Sequence, residues 1–445
     1  MSVSLMKATQ TLFADIVNNA IMFVMQSLQK FNVTSAGLGN TCRVSISKMW
    51  NGPAESRTRR PRTIAETTMT ATMTFHPLGN ADCTRFDLAD GRKMLVDYAD
   101  MRNDDDLWDR RIDLPAELKA DLRAARRDYF DVVMFTHLDD DHCCGVGDFF
   151  WLEHAAKYQG EGRTKIKELW VPAAAILEDG CEDSARIVRQ EARHRLRKGS
   201  GIRVFSRPKK LREWLEKQGL TLESRAHLIT DAGQYVPGFS TSGPERVRFF
   251  IHSPFGWRQD DNQIIDRNQD SVVFQATFLE GARETHALFM SDINYDSIDQ
   301  IVRTSKRHAN QDRLRWDVFK VPHHCSYLSI GPEKGNDETK PTEHVKWLCE
   351  TQGQSRCTLM STSWSIPAKG TAEDKDVQPP HRQAAAYYKR VANLKDGAFK
   401  VTMDLPSASR PKPSKIEITE RGATLLMVSA TTGSATIIST PARAG

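Results

Sequence analysis

Residues 132–145 read VVMFTHLDDDHCCG. An apolar run of strand character stops at His137, and Asp139, Asp140, Asp141 and His142 follow within five positions. Crowding three carboxylates and two imidazoles at the end of a buried strand is costly, because desolvation and mutual repulsion both oppose it. A cation among them removes that cost. Imidazole with carboxylate is a common ligand set for a divalent metal, and α/β proteins place their sites at the carboxyl ends of strands. The stretch therefore predicts a strand–loop unit of an α/β fold and the first part of a metal centre. Asp139 and Asp141 are expected to face the ions, and Asp140, one residue out of phase, to point elsewhere.

Two later strand ends repeat the pattern. HALFMSD closes on Asp292, and DVFKVPHHCS carries His323 and His324. Asp292 alone would read as a helix cap, and a His pair alone is ambiguous. Three such endings in one chain support one another, so His137, Asp139, Asp141, His142, Asp292, His323 and His324 form the candidate ligand set.

The rest of the chain suits this reading. Its 445 residues are 27% charged and 39% hydrophobic, a globular profile large enough for one large domain with insertions. No run of about eighteen apolar residues exists, so no membrane-spanning helix and no membrane partner are expected. The most apolar segment, residues 12–28, is broken by Asp15, Asn18 and Asn19 and reads as an amphipathic helix, with neither the basic start nor the cleavage site of a signal peptide. Eight Cys occur without a CxxC pair, which suits unpaired thiols in a reducing cytoplasm and disfavours a zinc ribbon.

Residues 1–72 are rich in Ser, Thr, Arg, Gly and Pro without a sustained period and are expected to be loosely attached. From 73 to about 432, short strands interleave with helices and no internal sequence repeat is visible, which predicts an α/β domain; 433–445 reads as a tail. The net charge of +5 is concentrated. Between residues 185 and 214 eleven Lys or Arg stand against two Glu, in a basic helical insertion around 180–215. Arg186, Arg189, Arg193 and Arg197 recur at three- and four-residue steps, which gathers their charge on one face suited to a polyanionic substrate.

THLDDDH resembles the H-x-H-x-D-H signature of the metallo-β-lactamase superfamily, with Asp139 at the middle His. It is most similar to the H-x-D-x-D-H form of the hydrolase domain in ComEC-type competence proteins and their stand-alone relatives. The similarity extends to PLGNAD (77–82), to the LVD ending at Asp97, to NQDSVVF with Asn268 and Ser271, to Ser291-Asp292 and to KVPHHCS. It implies an αββα sandwich of two mixed sheets flanked by helices, with two divalent ions, Zn2+ or Mn2+, at one edge. It also implies hydrolysis of a phosphodiester, in nucleic acid or in a small molecule, by a metal-activated water. Asp141 and Asp292 are the expected catalytic carboxylates, with Asp292 between the ions, and Lys320 stands to take up developing negative charge. A further His often completes such sites, and His252 and His381 are the candidates. A hydrolase of a small anionic substrate, a cyclic nucleotide or an ester, or a non-catalytic metal-binding regulatory module, is the alternative. Ser291 and Cys325 stand where the family has Gly, which is tolerable only if neither backbone needs a positive φ.

Because Met69 and Met73 immediately precede the first convincing strand, a chain beginning at Met69 is expected to keep its fold and activity. Loss of solubility or of activity in that shortened chain would overturn the expectation.

Overall fold

The computed structural model describes residues 69–261 and 266–426. By internal contacts the chain divides into Met1–Ala65 and Glu66–Gly445, and every described residue belongs to the second unit. The amphipathic segment 12–28, most of the expected 1–72 extension and the 433–445 tail lie outside the described residues. Thr72, assigned to the extension by sequence, is the first residue of β1.

Sixteen strands are described: β1 (Thr72–Phe75), β2 (Thr84–Asp87), β3 (Lys93–Val96), β4 (Tyr129–Met134), β5 (Phe150–Trp151), β6 (Thr164–Pro172), β7 (Ile202–Phe205), β8 (Ile229–Thr230), β9 (Val247–Ser253), β10 (Val273–Glu280), β11 (Arg283–Phe289), β12 (Trp316–Lys320), β13 (Gly353–Ser361), β14 (Ala398–Val401), β15 (Ser414–Thr419) and β16 (Gly422–Leu426). They form two mixed sheets. The first runs β16-β15-β1-β2-β3-β4-β6-β7-β8, with β5 also on β6, and the second runs β14-β13-β12-β11-β10-β9. Each sheet contains an antiparallel three-strand meander, β1-β2-β3 or β9-β10-β11, continued by parallel strands. The halves therefore share a topology although their sequences show no repeat.

Strand alternation divides the apolar side chains between three cores. Met94 and Val96 of β3 face the second sheet, whereas Leu95 faces outward. In β11, Ala287 and Phe289 face the first sheet, and Leu288 joins the outer core of the second. Aromatic rings lock the inner faces together: Phe289 stacks on Phe75 at 6.0 Å and lies 5.3 Å from Phe86.

Helices cover the outer faces, giving the expected α/β sandwich of two mixed sheets. Helix α1 (Leu114–Ala124) is capped by Asp113, which accepts from the Ala116 N–H, and it buries Leu114, Leu118 and Leu122 at four-residue spacing. Helix α2 (Asp183–Lys198) presents Val188, Ala192 and Leu196 to the same core and stops at Gly199, whose φ of 85° suits glycine. It connects β6 to its parallel neighbour β7, so the expected basic insertion contains a crossover of the sheet. Over the second sheet lie α3 (Tyr295–Arg307) and α4 (Arg382–Leu394). Residues 149–158, FFWLEHAAKY, look helical in sequence but form β5 and a short turn at Ala156–Tyr158 instead. Their backbone is diverted when the N–H groups of Glu153 and His154 donate to the buried Glu191 carboxylate.

Phe289 is 3% exposed between the sheets. Phe289→Ala is expected to lower the unfolding free energy by about 3–5 kcal/mol, read from urea denaturation. A loss below about 1 kcal/mol would mean that the sheets are not held together at this point.

Candidate metal centre

The ligand-type side chains reach one edge from both sheets. From the first sheet, β4 ends before Thr136 and His137, β3 before Asp97, and β1 before a short turn that carries Asp82. From the second, β11 leads to Asp292 and β12 to His323 and His324. Backbone hydrogen bonds fix the loops to one another: Asp82 N to Asp141 O at 2.8 Å, Tyr98 N to His142 O at 3.0 Å, and His323 N to Ser291 O at 3.0 Å.

Among the described residues, two groups of potential ligand atoms lie within 4.8 Å of one another: Asp82, His142, Asp292 and His324; and His137, Asp141 and His142. His142 belongs to both. Its Nε2 is 3.4 Å from Asp292 Oδ1, and the other Asp292 oxygen is 3.3 Å from His324 Nε2. Asp141 Oδ2 is 3.2 Å from the same His324 nitrogen. The rings are held from behind. His142 Nδ1 faces Asp97 Oδ2 at 3.0 Å, and Asp97 also accepts from the N–H and hydroxyl of Thr136. His324 Nδ1 donates to the Thr362 carbonyl at 2.7 Å. Each ring is thus aimed into the cluster through Nε2, the orientation that backing partners impose on metal-binding histidines.

Among the described residues, five buried side-chain atoms of these groups have no hydrogen-bond partner: His137 Nε2, His142 Nε2, His324 Nε2, Asp82 Oδ1 and Asp292 Oδ1. One such atom is costly; five converging ones of this chemistry fit a divalent cation, and the residues present can hold one or two.

The electrostatics agree. Burial opposes the charge of His142, but the Asp292 and Asp97 carboxylates hold it well above its ordinary pKa. Burial likewise opposes the charge of His324, which Asp292 and Asp141 raise to about 10. Asp292 stands well below the carboxylate range because His324 and His142 overcome its burial. Burial, aided by His142, lowers His137 to about 3. Lys320 is buried beneath the cluster, where its ammonium pairs with Asp82 and lies 3.9 Å from Asp292.

The other predicted residues divide. Asp140 is exposed, as expected. Asp139 lies outside both ligand groups: its Oδ2 is 3.6 Å from His137 Nε2, and its Oδ1 accepts from Arg267 at 3.0 Å. His323 is half-buried with its ring 6.4 Å from that of His324, and it too lies outside the groups. His381 packs its ring on Tyr327, and its backbone N–H donates to Cys325 O, so it adjoins the His323 loop without entering the cluster. His252 is not brought to the centre; its Nε2 meets the Arg313 carbonyl and its ring meets Phe250. Arg186 and Arg197 are exposed, but Arg189 and Arg193 donate to the carbonyls of Glu178 and Ile176, which removes half of the expected basic face. Ser291 and Cys325 have φ of 49° and 69°. The condition for tolerating a side chain there fails, and both carry left-handed strain of about 1–2 kcal/mol each. Cys325 is fully buried in the outer core of the second sheet, so it is a packing residue.

Sequence reasoning assigned no role to Asp82, Asp97, Thr136 or Arg267. Asp97 ends an apolar strand as Asp292 does, which was a usable signal, and Asp82 lay within the similar PLGNAD segment. Thr136 and Arg267 carried none.

No protein-family model matches the chain, and no curated protein matches it. Twenty-one solved chains do. One is the crystal structure of a new diphosphatase from the PhnP family, at 11% identity and a TM-score of 0.27, covering 71% of this chain and 96% of that one.

Histidines must be neutral to bind a metal. Because nearby carboxylates raise His324 to about 10 and hold His142 well above its ordinary value, both rings are expected to carry a proton at pH 7 when metal-free. Loading the protein with zinc or manganese at pH 7 is therefore expected to release about two protons per chain, measured by calorimetry in buffers of different ionisation enthalpy. Binding without proton release would show that these two rings are not ligands.

Proposed function

We propose that this chain is a metal-dependent hydrolase of phosphodiesters. The observation behind the proposal is the convergence of five buried, unpartnered ligand atoms from both sheets at one edge. His137, Asp141, His142, Asp292, His324 and Asp82 would hold two divalent ions, manganese or zinc. When bound, such ions polarise a phosphoryl oxygen and acidify a water molecule.

The protein side chains supply placement and charge. Asp292 lies between His142 and His324, which suits a carboxylate shared by both ion positions. Lys320 compensates the negative charge of Asp82 and Asp292 from beneath, and its burial and pairing suit it to charge balance more than to substrate contact. Asp141, with 30% of its side chain exposed, is the ligand placed nearest an incoming substrate.

Nucleic acid is the first substrate class, with Arg186 and Arg197 as contacts. A small anionic phosphodiester is the second, favoured by the engagement of Arg189 and Arg193 with backbone carbonyls. The manganese- or zinc-loaded protein incubated with single-stranded DNA, duplex DNA, RNA and a bis-aryl phosphodiester distinguishes them. Cleavage is expected to fall by more than about a hundredfold in both Asp141→Ala and Asp292→Asn, beyond the loss caused by disturbing a ligand's backing partner. Full activity in those variants would refute the site, and metal binding with no cleavage of any substrate would leave a regulatory module as the function.

A further inference from the structure

Arg267 connects three segments around the metal centre. Its Nη1 donates to the Leu138 carbonyl and to Asp139 Oδ1, each at 3.0 Å. Its Nε and Nη2 both reach Glu178 Oε1, at 2.8 and 2.7 Å. The guanidinium thus joins the loop of Asp139 to the segment that follows β6.

Arg267 lies in a hydrogen-bonded turn. Asp270 N donates to Asp266 O at 2.8 Å, and Gln269 N to Asp266 Oδ1 at 3.1 Å. Gln269 Oε1 accepts from Asn294 N and the Ser297 hydroxyl at the start of α3. One residue past the turn, Val272 N donates to the carbonyl of Thr136, beside His137. The turn is therefore in register with the first metal loop and with the helix that follows Asp292.

Asp139 has one oxygen on Arg267 and the other 3.6 Å from the unpartnered Nε2 of His137. With 35% of its side chain exposed, Asp139 has no other restraint of this kind among the described residues. A carboxylate in that position is free to turn to solvent unless something fixes its second oxygen, and a guanidinium does so while offsetting its charge.

We propose that Arg267 is a positioning residue for the ion within reach of His137, Asp141 and His142: it holds Asp139, which lies outside that group, with Oδ2 turned toward His137, from where that oxygen can serve the ion as a further ligand. This rests on the metal centre proposed above. The ion within reach of Asp82, Asp292 and His324 does not depend on it.

The test is calorimetric titration of the metal-free chain with manganese. Wild type is expected to take up two ions. Arg267→Met is expected to keep one affinity and to weaken the other 10- to 100-fold, the usual effect of removing a ligand's backing partner. Arg267→Lys should lie between, because an ammonium cannot serve Asp139, Leu138 and Glu178 together. Glu178→Gln should shift the same ion in the same direction by less, and it supplies the test if Arg267→Met does not fold. Two unchanged affinities in Arg267→Met with a raised KM for the bis-aryl phosphodiester would overturn the proposal and make Arg267 a substrate contact. Equal weakening of both ions, with a lowered melting temperature of the metal-free chain, would overturn it as well. A wild-type chain that binds no manganese or zinc would instead remove the metal centre on which the proposal stands.

Discussion

The packing of one sheet on the other is the constraint from which the metal centre follows. Phe75 ends β1, and Phe289 ends β11; their rings stack at 6.0 Å with an interplanar angle of 7°. Asp82 comes seven residues after the first ring and Asp292 three residues after the second. Interdigitated rings do not slide without opening voids. The stack therefore brings the strand ends of both sheets to one level, and carboxylates from opposite sheets meet the same histidines. An apolar contact sets the geometry of an ionic site.

The shared topology of the halves explains which strand ends contribute. The third strand of each meander leads into an aspartate, Asp97 after β3 and Asp292 after β11, and the next parallel strand leads into histidine, His137 after β4 and His323-His324 after β12. The first strand of each meander also leads to a histidine, His76 after β1 and His252 within the end of β9. These two share one fate: both are buried, both face a backbone carbonyl, and burial lowers both to about 4. His252 is the counterpart of His76, and neither reaches the cluster. The equivalent aspartates have diverged in use. Asp292 lies among the inward atoms, and Asp97 supports His142 from behind.

The α/β class and the strand ends that carry the candidate ligands were legible in the sequence because they depend on local pattern, whereas the two-sheet sandwich followed only from the resemblance of the motifs. VVMFT before His137 and HALFM before Asp292 are apolar strands, and a polar ligand at a strand end announces itself against that background. Positions decided by contacts between distant segments were not legible. Asp139 and Asp141 alternate identically in sequence, yet Asp141 enters a ligand group, whereas Asp139 lies outside it with one oxygen tied to Arg267, 128 residues further on. The arginines of α2 form a regular stripe, but only the fold shows that the carbonyls of 176 and 178 end within reach of two of them. Ser291 and Cys325 look like ordinary small substitutions until their backbone angles are known.

That stripe has a further consequence for any encounter with a polyanion. Arg195 of α2 is buried, with Glu191 and the carbonyls of Ile166, Lys167 and Gly201 as its acceptors. A guanidinium already enclosed by its own chain does not neutralise a phosphate, so it displaces none of the cations condensed on a nucleic acid. Affinity for a nucleic acid falls with salt at a slope of about −0.9 per phosphate neutralised on a duplex. The slope for this chain would count only outward charges such as Arg186 and Arg197, and the formal excess of positive residues on the helix overstates it.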